Sequence, residues 1–241
     1  MDAYDTEQFQ KDLNLLDLQL TNEQIGQFIR YYEMLAEWNG FMNLTGITDY
    51  EEVLKKHFID SLSLVRIFDI SGKCNVIDVG TGAGFPGLAL KIAFPWMEMT
   101  LLDSLNKRIR FLNAVIDELQ LKGVYTLHGR AEDYARSEKY RERFDLCVSR
   151  AVAHLATLSE YCLPFVRVGG HFVSYKSDKV HEELGDSKKA IFLLGGSIDR
   201  HEEFVLPDSD IFRSLICIVK KNPTSDQFPR KAGTPTKDPL K

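Results

Sequence analysis

The sequence predicts an α/β fold in which an open, mostly parallel sheet follows a helical N-terminal segment. Apolar residues recur at helical spacing over about the first 70 residues, which indicates helices before any strand. From residue 75 onward, short apolar runs of strand length alternate with helical patterns, the order that parallel β-α-β units require. A glycine-rich turn follows the first run, at the edge where open α/β sheets bind their ligands.

The N-terminal helices have recognisable start signals. Thr21 and Gln24 fit a capping box, in which each side chain bonds the backbone N–H of the other residue. Thr48 and Glu51 announce a second helix, and apolar residues at helical spacing follow both starts. We therefore assign residues 1–70 to a helical extension packed on the domain that follows.

The middle of the chain holds the strand-like runs. In order they read NVIDVG (75–80), TLLD (100–103), VYTLHG (124–129), FDLCVS (144–149) and GHFVSYK (170–176). Helical patterns separate them, including one that stops near Gly123 and one over about 151–166. HEEFVLP (201–207) and RSLICIVKK (213–221) lie close together, so we expect an antiparallel hairpin at the sheet edge. Residues 71–222 thus form one sheet domain.

After Asn222 the composition changes to Pro, Gly, Lys and Thr, and we interpret residues 223–241 as an extended, basic surface tail. Residues 220–241 carry six basic and two acidic side chains, whereas residues 1–40 carry two basic and eight acidic ones. A polyanion, if the protein binds one, is therefore expected to meet one local face. The net charge of −5 argues against a protein that coats nucleic acid through bulk positive charge.

Composition narrows the class of protein. A chain of 241 residues with 44% hydrophobic and 27% charged residues is an ordinary globular protein. The four cysteines lie far apart without a C-x-x-C pair, so the sequence predicts no disulfide framework, zinc cluster or other metal site. The acidic N-terminus lacks signal-peptide features, and no stretch approaches the ~20 apolar residues of a membrane helix. We expect a cytoplasmic protein without membrane contact, and a monomer by default.

The segment VIDVGTGAGFPG (76–87) is the most informative part of the sequence. In it, Asp78 precedes three glycines at alternate positions, Gly80, Gly82 and Gly84. Glycines let a ligand approach the backbone without a Cβ in the way. Asp103 ends the next strand, 19 residues after the last of these glycines, where an acidic residue binds ribose hydroxyls in nucleoside-binding folds. Alternatively, Asp78 satisfies N–H groups of the turn, and Asp103 caps the following helix.

Polar residues also follow the third and fourth strands. Glu132 and Asp133 come after the third strand, where the adenine ring of a nucleoside would lie, and Arg150 follows the fourth. Alternatively, the two acids are solvated turn residues and Arg150 pairs with a neighbouring carboxylate. The agreement of four successive strand ends favours a ligand site at this edge of the sheet.

The spacing of the glycines indicates which nucleoside is bound. A D-x-G-x-G-x-G turn is similar to the one that holds S-adenosylmethionine in class I methyltransferases. It differs from the G-x-G-x-x-G turn that binds the pyrophosphate of dinucleotides, although Gly87 fits that pattern when counted from Gly84. A nicotinamide-dependent oxidoreductase with Asp103 on the adenosine ribose therefore stays a competing hypothesis.

Eight segments carry a more specific resemblance. They are NLTGI (43–47), KHFIDSLSL (56–64), VIDVGTGAGFPGLALKI (76–92), TLLDSLNKRIRFL (100–112), GRAED (129–133), SRAVAHL (149–155), YCLPFV (161–166) and FPRKAGTPTKDPL (228–240). In them the chain resembles the glucose-inhibited division protein B (RsmG) family of bacterial 16S ribosomal RNA guanine-N7 methyltransferases. The resemblance implies a class I S-adenosylmethionine-dependent methyltransferase fold, with a doubly wound, mostly parallel seven-stranded sheet behind an N-terminal helical extension.

The resemblance also implies methyl transfer from S-adenosylmethionine to N7 of one guanine in 16S ribosomal RNA of the small ribosomal subunit. Some cofactor residues follow from the glycine turn and the others from the resemblance. The predicted cofactor residues are Asp78, Gly80, Gly82, Gly84, Phe85, Asp103, Ser104, Ala131, Glu132 and Arg150.

Guanine N7 carries a lone pair and no proton, so its attack on a methyl group needs no general base. We therefore predict that catalysis rests on alignment of the base, with Arg150, His154 and Tyr175 as the positioning candidates. The predicted RNA contacts are Lys55, Lys56, His57, Lys107, Arg108, Lys176, Arg230 and Lys231. The Arg230-Lys231 pair is expected to serve RNA and not the cofactor. A small-molecule methyltransferase and a non-catalytic RNA-binding module are two further hypotheses that the sequence leaves open.

Overall fold

The computed structural model describes residues 4–150, 153–177 and 180–240. In these ranges the strands are β1 (Asn75–Val79), β2 (Glu98–Asp103), β3 (Val124–His128), β4 (Phe144–Ser149), β5 (Val166–Lys176), β6 (Gly196–Val205) and β7 (Phe212–Lys220). They form one sheet in the order β3-β2-β1-β4-β5-β7-β6. Strand β7 is antiparallel to both of its neighbours, and the other pairs are parallel. The predicted mostly parallel sheet with an edge hairpin is confirmed.

Helices cover both faces of this sheet. They are α1 (Glu7–Leu15), α2 (Asn22–Met42), α3 (Tyr50–Val53), α4 (Asp60–Leu62), α5 (Gly87–Ala93), α6 (Asn106–Glu118), α7 (Ala131–Tyr134), α8 (Leu155–Cys162), α9 (Val180–Leu193) and α10 (Thr234–Lys237). Side chains alternate along β1, so that Val76 packs with the N-terminal helices and Ile77 packs with α8 and α9. Among the described helices, none combines the length and the apolar character needed to cross a bilayer.

The start signals of the N-terminal helices are partly as predicted. The capping box of α2 is confirmed, because Gln24 N–H donates to Thr21 Oγ1 at 3.2 Å and Thr21 N–H donates to Gln24 Oε1 at 2.9 Å. The helix predicted to start at Thr48 is α3, and it begins one residue later than that prediction. Asp49 is its cap and accepts a hydrogen bond from Glu52 N–H at 3.0 Å. That helix then widens into a π-helical turn, Leu54–Ile59, before α4.

Aromatic side chains join the helical extension to the sheet domain. Tyr31 of α2 is fully buried between Phe58 and Phe85, with ring centroids at 5.4 and 5.3 Å. Its hydroxyl donates to the Ala83 carbonyl at 2.5 Å, so the extension bonds directly to the glycine-rich turn. Full burial of such a side chain contributes about 1.5–3 kcal/mol.

A buried acid forms the second connection. Asp60, which is 3% exposed, lies between two guanidinium groups. Its Oδ2 accepts from Arg150 at 2.8 Å and its Oδ1 accepts from Arg213 at 2.9 Å. Arg150 follows β4 and Arg213 lies in β7, so one carboxylate joins the extension to two strands of the sheet.

The described part of the C-terminal region is not the extended surface tail that its composition suggests. Phe228 and Pro235 are buried, and the segment ends in α10. Arg141 donates to the carbonyl oxygens of Thr224 at 2.7 Å and Phe228 at 2.9 Å. The composition did not predict this packing because only a few residues of the region are apolar, and those few face the domain. The backbone carbonyls of the region are also held there, because they accept hydrogen bonds from Arg141.

We expect Asp60→Ala to lower the free energy of unfolding by about 3 kcal/mol, because it leaves two partly buried guanidinium groups without their shared partner. Urea denaturation followed by circular dichroism measures the change. The matched control is Glu202→Ala, which removes a partly exposed pair with Arg66 (2.7 Å) and should cost less than about 1 kcal/mol. Equal losses in both variants would contradict the role given to Asp60.

Candidate active site

The glycine-rich turn leaves β1 and crosses the end of β2. The N–H groups of Gly80 and Thr81 both donate to the Leu102 carbonyl, at 2.9 and 3.1 Å. The three alternating glycines have φ values of +74°, +64° and +101°, in the left-handed region that favours glycine. The turn therefore depends on glycine for its backbone conformation.

Two of the glycines in this segment are also required by close packing. A Cβ at Gly84 would collide with the Tyr31 hydroxyl and the Leu88 side chain, and a Cβ at Gly87 would collide with Leu101. At Gly80, in contrast, a Cβ would meet no atom within 4 Å. The space beside Gly80 is therefore open to a ligand.

A cavity of about 190 Å³ lies at the carboxyl ends of β1 to β4. Five predicted cofactor residues line it, namely Gly80, Asp103, Ser104, Ala131 and Glu132. Helix α8 adds Leu158, Tyr161 and Cys162, which were not predicted from the sequence as cavity residues. A signal was present, because α8 follows the fourth strand end directly, and its apolar face must turn toward the sheet.

Asp103 holds the parts of this cavity together. Its Oδ2 accepts from Gly82 N–H at 3.0 Å and from Arg108 at 3.1 Å, and its Oδ1 accepts from Leu105 N–H at 2.9 Å. The helix that follows has Leu105 as its N-cap residue, so Asp103 supports the approach to that helix and is not its cap. One carboxylate thus fixes the glycine turn against the end of β2.

Glu132 is a buried acid, which overturns its interpretation as a solvated turn residue. It is 3% exposed, lines the cavity and accepts a hydrogen bond from Gly233 N–H through Oε1 at 2.9 Å. The neighbouring Asp133 is exposed, as a turn residue would be. The difference arises because α7 turns Glu132 inward and Asp133 outward.

Asp78 lies behind the turn and is not among the cavity residues. It is fully buried, and its Oδ2 accepts from Gly87 N–H at 2.8 Å. The position of Asp78 therefore agrees with its alternative role, in which it accepts hydrogen bonds from backbone N–H groups of the turn. Burial raises the pKa of Asp78 from 3.8 to about 6, although Thr81 and the Gly87 N–H partly oppose this increase.

Phe85 and Arg150 lie together outside the described cavity. Phe85 is buried, and its ring stacks on His57 with centroids 4.5 Å apart. The Arg150 guanidinium lies 5.2 Å from the centre of the Phe85 ring. The structure therefore brings these two predicted cofactor residues to the junction with the extension, where Arg150 pairs with Asp60 as its alternative interpretation proposed.

His57 is unsuitable as a cationic phosphate contact. Burial, followed by the charge of Arg150, lowers its pKa from 6.5 to about 3, so the ring is neutral at physiological pH. Its Nδ1 lies 3.1 Å from an Arg150 nitrogen and its Nε2 lies 2.9 Å from Thr45 Oγ1. Arginine can only donate, so we assign the proton to Nε2.

Several other predicted RNA contacts are occupied within the protein. Lys55 pairs with Asp12, and Lys176 donates to Glu183 at 2.7 Å. Both lysines are largely enclosed, which contradicts their prediction as phosphate contacts. Arg108 and Arg230 also have carboxylate partners, Asp103 and Glu160.

The remaining basic candidates lie at the surface. Lys56 forms a pair with Glu52 on the same helical face, and Lys107 donates to the Met42 carbonyl at 2.6 Å. The Lys231 side chain is exposed and makes no hydrogen bond or ion pair with the part of the chain that the structure describes. Among the described basic candidates, it is the side chain most available to a phosphate.

Two of the predicted base-positioning side chains differ in exposure. Tyr175 is 3% exposed and donates to the Ser61 carbonyl at 2.8 Å, so it is structural and its predicted role is wrong. His154 is exposed at the start of α8, where its Nδ1 accepts from Ala156 N–H at 3.4 Å. His154 alone of these two remains accessible to a substrate.

Comparison with known proteins identifies the family. A family model described as GidB, rRNA small subunit methyltransferase G, matches residues 24–210. The chain belongs to this family. A Ribosomal RNA small subunit methyltransferase G from Lachnoclostridium phytofermentans is 52% identical over 236 residues, covering 98% of both chains. One from Clostridium novyi is 49% identical and covers 93% of both. As a methyltransferase G relative, this protein is an enzyme of the methyltransferase class.

Solved structures support the fold of this methyltransferase G relative. A chain from a complex containing the Haloferax volcanii Trm112 methyltransferase activator matches with a TM-score of 0.57 and 13% identity, covering 78% of this chain and 98% of that one. TrmN from Thermus thermophilus matches with a TM-score of 0.51 and 14% identity, covering 69% and 53%. The predicted class I methyltransferase fold is confirmed.

We expect Gly84→Ala to destabilise the protein more than Gly80→Ala. Both substitutions place alanine at positive φ, at a cost of about 1–2 kcal/mol. Only the Cβ at Gly84 also collides with Tyr31 and Leu88, which should add about 1–3 kcal/mol. Urea denaturation of the two variants provides the measurement. Equal losses of unfolding free energy would show that close packing against Tyr31 of α2 does not require glycine at position 84.

We expect Asp78→Asn to change how stability depends on pH. The folded wild-type carboxyl keeps its proton up to pH about 6 and the unfolded one only to about 3.8, so wild-type stability falls as pH rises between these values. The variant cannot ionise, and its stability relative to wild type should increase by about 3 kcal/mol over this window. Urea denaturation of both proteins from pH 3.5 to 8 measures this difference. The titration of His57 contributes equally to the two proteins and so cancels in the difference. A difference independent of pH would contradict the burial argument.

Proposed function

We propose that this protein transfers a methyl group from S-adenosylmethionine to N7 of a guanine in 16S ribosomal RNA, in the cytoplasm and as a monomer. The observation that carries the proposal is the cavity at the carboxyl ends of β1 to β4, in a chain of the methyltransferase G family. Open α/β sheets bind their ligands at this edge. The nicotinamide hypothesis loses its support with the family membership.

The residues at the cavity fit S-adenosylmethionine. Gly80 leaves open space where a side chain would stand, and Asp103 and Glu132 bring carboxylate acceptors for hydroxyl and amino groups of a nucleoside. Ser104 and Ala131 complete the part of the wall that the sequence predicted. When bound, this cofactor supplies a methyl group on a positively charged sulfur.

The protein's contribution is mainly orientation and exclusion of water. The acceptor nitrogen has a free lone pair, so no side chain has to remove a proton before the methyl group is transferred. His57 is neutral and enclosed by Arg150 and Thr45, and it has no proton-transfer role in this scheme. Holding two reactants in line can contribute up to about 7–11 kcal/mol in favourable cases.

RNA recognition falls to the exposed candidates. Lys56, Lys107 and Lys231 remain at the surface, and His154 is exposed at the start of α8. The target base must be unstacked to reach the cofactor cavity, which is easier in a single-stranded loop than in a duplex. We therefore propose that these side chains hold the phosphates and the base edge around an unstacked guanine.

The direct test uses labelled methyl transfer to purified small ribosomal subunits and to naked 16S ribosomal RNA. Large subunits and a metabolite extract serve as controls. Borohydride and aniline cleavage then locates N7-methylguanine in the RNA. Label in the metabolite extract alone would support a small-molecule methyltransferase, and the absence of S-adenosylhomocysteine binding would remove the proposal.

We expect Lys231→Ala to weaken RNA binding and to reduce the slope of log K against log salt by about 1, because one phosphate contact is lost. Its affinity for S-adenosylhomocysteine should stay unchanged. The matched control is Lys73→Ala. Lys73 is exposed and precedes β1, so it lies at the amino ends of the strands, away from the cavity at their carboxyl ends. Filter binding over a range of salt concentrations measures both. Equal effects of the two substitutions would contradict a local role of Lys231.

A further inference from the structure

Residues 228–237, called here the C-terminal segment, lie against helix α8 beside the cavity. Thr157 Oγ1 donates to the Pro235 carbonyl at 3.1 Å, and the hydroxyls of Tyr161 and Thr236 lie 2.7 Å apart. Tyr161 also lines the cavity. The segment therefore supports the cavity wall from outside.

Arg230 anchors this segment to a fully buried acid. Glu160 is in α8, and its Oε1 accepts both the Arg230 backbone N–H at 2.7 Å and Arg230 Nε at 3.0 Å. Its Oε2 accepts from a terminal guanidinium nitrogen at 2.8 Å. A bidentate arginine fixes both the position and the direction of its partner. Arg230 thus defines where the segment lies on α8.

The same segment reaches the cavity through Glu132. Gly233 N–H donates to Glu132 Oε1 at 2.9 Å, from a backbone conformation with φ of +84°. Within the described ranges, the other carboxylate oxygen of Glu132 makes no hydrogen bond and is free to accept one from a ligand. The orientation of this oxygen follows from the bond that Gly233 makes to the first one.

We propose that Arg230 is a positioning residue of the cofactor site. Arg230 fixes the segment on Glu160, Gly233 of that segment orients Glu132, and Glu132 presents an acceptor to a donor such as the amino group of an adenine nucleoside. The inference rests on the function proposed above. It replaces the expectation that Arg230 and Lys231 both serve RNA.

The neighbouring residues Arg230 and Lys231 supply a matched pair for the test. Arg230 faces Glu160, whereas the Lys231 side chain is exposed and has no partner among the described residues. We expect Arg230→Ala to raise the dissociation constant for S-adenosylhomocysteine about tenfold, and Lys231→Ala to change it by less than about twofold. Calorimetry on the full-length variants measures both constants. In steady-state assays, Arg230→Ala should raise the KM for S-adenosylmethionine and largely retain kcat.

A double-mutant cycle distinguishes positioning from a general loss of structure. If Arg230 acts through Glu132, adding Arg230→Ala to Glu132→Ala should weaken binding little further than Glu132→Ala alone. Independent, additive losses would overturn the inference, as would a dissociation constant of Arg230→Ala within about twofold of wild type. Failure of the wild-type protein to bind S-adenosylhomocysteine would overturn the proposed function itself, and this inference with it.

Arg230→Lys covers the case in which Arg230→Ala does not fold. Lysine keeps the positive charge beside Glu160 but lacks the planar fork that bonds both carboxylate oxygens. We expect this variant to stay folded, which a thermal unfolding curve checks. We also expect it to bind S-adenosylhomocysteine about threefold more weakly. An unchanged dissociation constant in the folded variant would overturn the inference.

Discussion

The structure depends most on the shared ion pair of Asp60 with Arg150 and Arg213. The carboxylate comes from the helical extension, and the two guanidinium groups come from the end of β4 and from β7. Removing charges from water is costly, and the cost is offset here because each carboxylate oxygen has its own donor. Arg150 in turn lies over Phe85 and beside His57, so the same pair determines how the extension meets the glycine-rich turn.

Several basic residues that the sequence suggests as RNA contacts are instead used for internal structure. Lys55, Lys176 and Arg230 have carboxylate partners inside the molecule, and Arg141 bonds backbone carbonyls of the C-terminal region. The net charge of −5 opposes long-range attraction of a polyanion such as RNA. Recognition of the RNA then depends on a few exposed contacts and on the shape of the substrate around the cavity.

The sequence predicted those features that depend on local patterns. The order of the strands along the chain and the glycine-rich turn with Asp103 follow from short-range spacing, and both were found. Helix α9 (Val180–Leu193) was missed, because Gly185 and several charged residues obscure its apolar face. The roles of neighbouring Arg230 and Lys231 differ only because Glu160, 70 residues earlier, lies under one of them. Such distant partners leave no local pattern.

The hydrogen bond from Tyr31 to the glycine-rich turn bears on whether the helical extension and the sheet domain could have evolved separately. Because Ala83 and Gly84 are shaped around that tyrosine, the helices and the sheet domain are matched to each other and are poor candidates for independent exchange. Swapping the extension with that of a distant methyltransferase would leave the turn facing an unfitted surface. Recombination in this lineage is therefore expected to have kept the two parts together.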